Sequence, residues 1–76
     1  MGTELNLWRV VSDPGICGGE PCVVGTRIPV WMVLSHLAAG DDIETILYNF
    51  PRLRREDILA CLEYASYLAT EKVVPV

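Results

Sequence analysis

The stretch Pro29-Val30-Trp31-Met32-Val33-Leu34-Ser35-His36-Leu37-Ala38-Ala39-Gly40 decides how this chain is built. Val30, Val33, Leu34 and Leu37 fall at i, i+3, i+4 and i+7, the period of one buried helix face. Pro29 suits a first helical position, where its missing N–H costs nothing. Gly40 suits the position just past a helix end. Working outward toward the C-terminus, the period returns twice. Ile43, Ile46, Leu47 and Phe50 repeat it behind Asp41 and Glu44, which are spaced as in a capping box with Asp in place of Ser or Thr. Pro51 ends that second helix. A third is predicted from about Arg54 to Glu71, with Ile58, Cys61, Leu62, Ala65, Leu68 and Ala69 as its buried stripe. The link Pro51-Arg52-Leu53 is so short that its helices must be neighbours, and a trihelical helix-turn-helix core is the economical packing.

Working outward the other way, the period breaks. Trp8-Arg9-Val10-Val11 reads as a strand, and Asp13-Pro14-Gly15 as a turn behind it. Gly18-Gly19-Glu20-Pro21 is a second break, and Cys22-Val23-Val24 a second strand. Gly25 supplies a positive φ before Thr26-Arg27-Ile28. A small hairpin or three-piece β lip is expected, leaning on the helices for stability. The predicted class is therefore α+β, mostly α. Residues 1–7 form an N-terminal extension, 8–71 a single trihelical domain with its β element, and 72–76 a C-terminal tail.

Composition bounds the function. The 76 residues allow one domain. They are 51% hydrophobic, too apolar for disorder, and a mean hydropathy of +0.33 is high for so small a monomer. Part of the apolar surface is expected to end in a partner or a second copy. Ten acidic and six basic residues give a net charge of −4, so only a local basic patch can meet nucleic acid. The longest apolar run, Ile28 to Leu34, is too short to span a bilayer. Met1-Gly2-Thr3-Glu4-Leu5 lacks the features of a signal peptide, and Asn6 argues against myristoylation. Three cysteines, Cys17, Cys22 and Cys61, form an odd set and point to a reducing, cytoplasmic setting. With His36 as the single histidine, they make a poor zinc set. No metal or cofactor is expected. No nucleophile, phosphate loop or metalloprotease motif surrounds these residues, and a non-enzyme is the reading.

Two groups of residues remain as candidates. Arg52, Arg54 and Arg55 cluster at the turn into the third helix, where cations oppose the macrodipole and Arg54 caps poorly. In a helix-turn-helix that end faces the groove, so these arginines are candidate DNA contacts, although Glu56, Asp57 and Glu63 offset them. Trp31 on the first helix and Ala60, Tyr64 and Tyr67 on the third fall off the core stripes. Either the rings fold over the edge of a small core, or they form an association face. Arg27, between the Gly25-Thr26 turn and Pro29, is expected to fix the hairpin against the helices.

One string is more specific. Asp13-Pro14-Gly15-Ile16-Cys17-Gly18-Gly19-Glu20-Pro21 followed by Gly25-Thr26-Arg27-Ile28-Pro29-Val30 resembles the family called domain of unknown function 433. Leu37-Ala38-Ala39-Gly40, Phe50-Pro51-Arg52-Leu53 and Glu56-Asp57-Ile58 continue its pattern. The resemblance implies a winged-helix or homeodomain-like trihelical fold with an N-terminal β element. It implies a small prokaryotic antitoxin-like protein encoded beside a PIN-like nuclease toxin, which it binds and silences, and a dimer that represses its own promoter DNA. It attaches no catalytic residue. Glu20 and Val24 stand where the family usually has Lys and Arg or Lys, losses that weaken DNA binding by the hairpin, while Arg54 stands where Thr or Ser is usual and adds a basic residue at the third helix. The apolar tail Lys72-Val73-Val74-Pro75-Val76 is a candidate partner-facing segment, a dimer arm or a frayed end. A homodimer through the third helix and its aromatic edge is expected. The alternatives are a stand-alone DNA-binding regulator and an adaptor dimer without nucleic acid.

Overall fold

The computed structural model describes residues 7–71. A 3₁₀ turn, Leu7–Arg9, leads into β1, Val10–Val11. Trp8 and Arg9 thus belong to a turn, and the first strand is shorter than the apolar run predicts. The chain reverses at Asp13-Pro14-Gly15, where Ile16 N–H donates to the Asp13 carbonyl at 2.8 Å and Gly15 N–H to the Asp13 carboxylate at 2.8 Å. That is the Asx device expected of Asp ahead of Pro-Gly. A second 3₁₀ turn, Cys17–Gly19, precedes β2, Cys22–Val23. β2 pairs antiparallel with β1, Val10 opposite Val23 and Val11 opposite Cys22. On its other side Cys22 makes an isolated bridge to Pro29, and Val23 N–H donates to the Ile28 carbonyl at 3.0 Å. The third piece of the lip is therefore a bridge and not a strand.

Three helices follow: α1, Val30–Ala38; α2, Ile43–Asn49; and α3, Arg55–Glu71. Pro29 is the extended N-cap of α1, one position before the expected first turn. α1 ends in a Schellman motif. Gly40 N–H donates to the Leu37 carbonyl and Asp41 N–H to the His36 carbonyl, both at 3.0 Å, with Gly40 at φ 99°. The cap of α2 is Asp42, not Asp41: its carboxylate accepts the Thr45 N–H at 2.8 Å, which lowers the Asp42 pKa. Asp41 instead meets His36 Nδ1 at 2.8 Å, beside the edge of Phe50. α3 packs on α1 and α2, and on the first 3₁₀ turn and β1 as well. The core is Val23, Val30, Val33, Ile46, Leu53, Ile58 and Cys61. This is a mostly helical, winged-helix-like arrangement with a short β hairpin ahead of a three-helix bundle. Among the described residues no helix is long and apolar enough to cross a membrane.

The stripe predicted for α3 is out of phase with its buried face. Ile58 and Cys61 are buried as expected, but Leu62 and Leu68 are exposed and Ala60 has no exposed surface at all. The cause is the lip. The first 3₁₀ turn and β1 cover α3 on a side that a bundle of three helices leaves open, so the buried arc includes Asp57 and Ala60. Burial pushes the Cys61 thiol up to about 11, with the Asp57 carboxylate adding to the shift.

Candidate functional site

Asp57 is the one buried charged side chain among the described residues. Its two oxygens do different work. Oδ2 accepts the Arg54 N–H at 2.9 Å, the half of a capping box made by the third helical residue. Oδ1 accepts from Arg9 Nη1 at 2.9 Å. Arg54 thus needs no capping hydroxyl, because the acid three residues on closes the helix start in its place. The Arg9 guanidinium also lies 4.5 Å from the centre of the Trp8 ring. Asp57 ties the front of the chain to α3, a role that sequence reasoning missed. The visible signal was an acid three positions past the predicted cap.

Between α1 and α3 runs an apolar groove of about 510 Å³. Trp31, Val30 and Leu34 line it from α1, and Tyr64, Ala65, Leu68 and Ala69 from α3, with Glu20 and Pro21 at its rim. Trp31 stays 54% exposed, held by a hydrogen bond from its Nε1 to Glu20 Oε1 at 3.1 Å. Tyr64 is half-buried against the core. So Trp31 and Tyr64, expected together as rings off the core stripes, line one groove. Tyr67 is exposed but lies outside the groove lining, on the outer side of α3 with Leu59 and Leu62. Ala60 is a correction: it is sealed inside the chain and offers no surface to a partner. Val73 and Val74 lie outside the described residues. Leu34 packs against the core as its place on the α1 stripe predicts and lines the groove as well, whereas Leu68, predicted in the α3 stripe, is an exposed groove wall.

The arginines at the α2–α3 turn do not act as one cluster. Arg55 Nη2 donates to Glu44 Oε2 at 2.7 Å, in an exposed pair. Arg54 is exposed at the head of α3. Arg52 Nη2 reaches the Gly25 carbonyl at 3.4 Å, which brings it beside the lip. There Gly25 holds φ 76°, and the Thr26 hydroxyl donates to the Val23 carbonyl at 2.8 Å while accepting the Ile28 N–H at 3.0 Å. Pro29 is buried behind this turn and Arg27 is exposed on it, with an interaction of its own inside the fold. The Gly-Thr-Arg-Ile-Pro string is therefore a locked corner that leads the chain into α1. Among the described residues no group of His, Cys, Asp and Glu could hold a metal ion.

These features match known proteins. The family model for a protein of unknown function, DUF433, matches residues 10–65, from β1 into α3. The chain belongs to the DUF433 family. An uncharacterized protein y4eO of Sinorhizobium fredii is 45% identical over 57 residues. That match takes in 75% of this chain but only 26% of the relative, so the chain spans about a quarter of that protein's length. The crystal structure of a DUF433 member protein from Anabaena variabilis superposes with a TM-score of 0.75 at 32% identity, over 83% of this chain and 62% of that one. The DUF433 match ends at Ala65, so Leu68 and Ala69 of the groove lie beyond it.

Proposed function

We propose that this DUF433 chain is a non-catalytic binding module of the antitoxin type, which holds a PIN-like nuclease toxin through the α1–α3 groove. The observation that carries the reading is the groove itself: an apolar trough with an exposed tryptophan on one wall and Leu68 on the other. Apolar surface of this kind on a small domain marks a place where a partner sits. The outward side of α3 supports the same reading. It carries Leu59, Leu62, Glu63, Ser66 and Tyr67, a set suited to protein contact and poorly suited to a phosphate-lined groove. A net charge of −4 favours encounter with the basic cleft of a nuclease. In this reading the chain works in the cytoplasm, and a homodimer through the exposed side of α3 accompanies it.

A second reading, a helix-turn-helix DNA regulator, is favoured by the exposed Arg54 at the head of α3. The two are separated by recovering the tagged protein from its own cells and identifying what elutes with it. A small nuclease-like protein in stoichiometric yield, lost with Leu68→Asp, supports the antitoxin reading. A homodimer carrying promoter DNA, released by Arg54→Ala, overturns it in favour of the regulator. A homodimer with neither is the adaptor.

A further inference from the structure

The outward face of α3 has a period of its own. Arg55, Leu59, Leu62, Ser66 and Ala69 follow one another at spacings of four, three, four and three. That is the seam of a helix that packs along its length against a second helix. All five are exposed, and Leu59 and Leu62 leave 41% and 42% of their surface open. The fold of a single chain uses the other side of the helix, where Asp57, Ile58, Ala60 and Cys61 are buried.

The seam is graded in size. Its first half carries the two leucines, and its second half serine and alanine. A partner helix running the same way would set leucine on leucine and alanine on alanine, one end crowded and the other empty. A partner running the opposite way sets Leu59 on Ala69 and Leu62 on Ser66, twice over, about one two-fold axis. Charge follows the same sense. The head of α3 presents the exposed Arg54, while its last turn has Glu71 and no basic residue. Opposed helices bring each Arg54 toward the negative end of the other helix, and parallel ones would bring the two Arg54 side chains together. A face complementary to its own reverse calls for a second copy of this chain.

We propose that two copies pair through antiparallel α3 helices in this register, each seating its Leu59 on the partner's Ala69. Ala69 also lines the α1–α3 groove. The second copy therefore supplies an edge to that groove which one chain lacks. The inference rests on the reading above for what the groove holds, and adds the register of the dimer. The dimer is measured on the purified chain with no nuclease present, so its failure is distinct from failure of the antitoxin reading.

Sedimentation equilibrium of the full chain is expected to show a dimer at micromolar concentration. Leu62→Glu and Ser66→Arg, each on an exposed position, should raise its dissociation constant by roughly tenfold or more while circular dichroism stays that of the folded chain. Tyr48→Ala, on an exposed side chain of α2, should leave it unchanged. The register is read by cross-linking, with Cys17 replaced by serine throughout. A mixture of Leu59→Cys and Ala69→Cys chains is expected to form a disulfide-linked pair under mild oxidation. Leu59→Cys alone is not, because the two substituted positions then lie about 15 Å apart along the pair. The proposal is overturned if the chain sediments as a monomer at every concentration, or if neither folded seam variant weakens the dimer. It is also overturned if Leu59→Cys alone cross-links as readily as the mixture.

Discussion

The two halves of α3 are both rich in apolar residues and have opposite surroundings. From Arg55 to Tyr64 the helix is gripped from several directions. Asp57, Ile58, Ala60 and Cys61 are buried, and Asp57 is bonded to both Arg9 and the helix start. From Ala65 to Thr70 no side chain is buried, although Leu68 and Ala69 continue the apolar pattern. The DUF433 match stops at this boundary, at Ala65. The first half is therefore apolar because the fold needs it. The second half is apolar without the fold using it. Apolar side chains serve stability where neighbours cover them, and recognition where they do not.

Substitutions can break this contrast, and they rank by burial. Ile58→Ala removes a side chain with no exposed surface from the centre of the core. It is expected to cost about 3 kcal/mol, a large share of what a domain of this size has, as read by urea denaturation. Asp57→Ala should cost about 2 to 3 kcal/mol on the same scale, because the Arg9 guanidinium loses its carboxylate and the head of α3 its cap. Arg9→Met with Asp57→Asn should recover part of that loss, since no buried charge is then left alone. In the other half Leu68→Ser should change stability by less than about 0.5 kcal/mol. If it unfolds the chain instead, the second half belongs to the core and the contrast falls.

Cys61 gives the smallest effect and the sharpest readout. Burial, with the Asp57 carboxylate adding to it, raises its folded pKa from the ordinary thiol value of 9.0 to about 11. The neutral thiol is the form the fold favours. Its contribution is whole below pH 9 and is lost as pH rises through 11, because the unfolded chain gives up the proton first. Alkylation at pH 8, mapped by mass spectrometry, should therefore leave Cys61 unmodified until denaturant is added.

Much of the architecture was legible in the sequence. Local period and punctuation act over a few residues, so Val30, Val33 and Leu37, Gly40, Pro51 and the Asp13-Pro14-Gly15 turn could be read directly. What escaped depends on packing between distant segments. Ala60 was assigned to the surface because nothing local shows that residues 7–11 cover α3. The cap of α2 fell one residue from its predicted place because Asp41 and Asp42 are equally good caps by type. Only the Schellman turn, which commits the Asp41 N–H to His36, separates them. Of the candidate site, Trp31 and Tyr64 were legible as rings off the stripe. Their meeting across one groove required the chain to be folded.

The two tryptophans sit at separate places in the fold. Trp31 stands on the wall of the groove, hydrogen-bonded to Glu20, and Trp8 lies over Arg9 at the joint between lip and helix. Both are largely open to water, at 54% and 64%. The chain thus carries two optical reporters at separate places. With Trp8 replaced by phenylalanine, the remaining emission becomes a label-free gauge of whether the groove is filled, moving to the blue as water leaves the indole. With Trp31 replaced, it follows the joint instead.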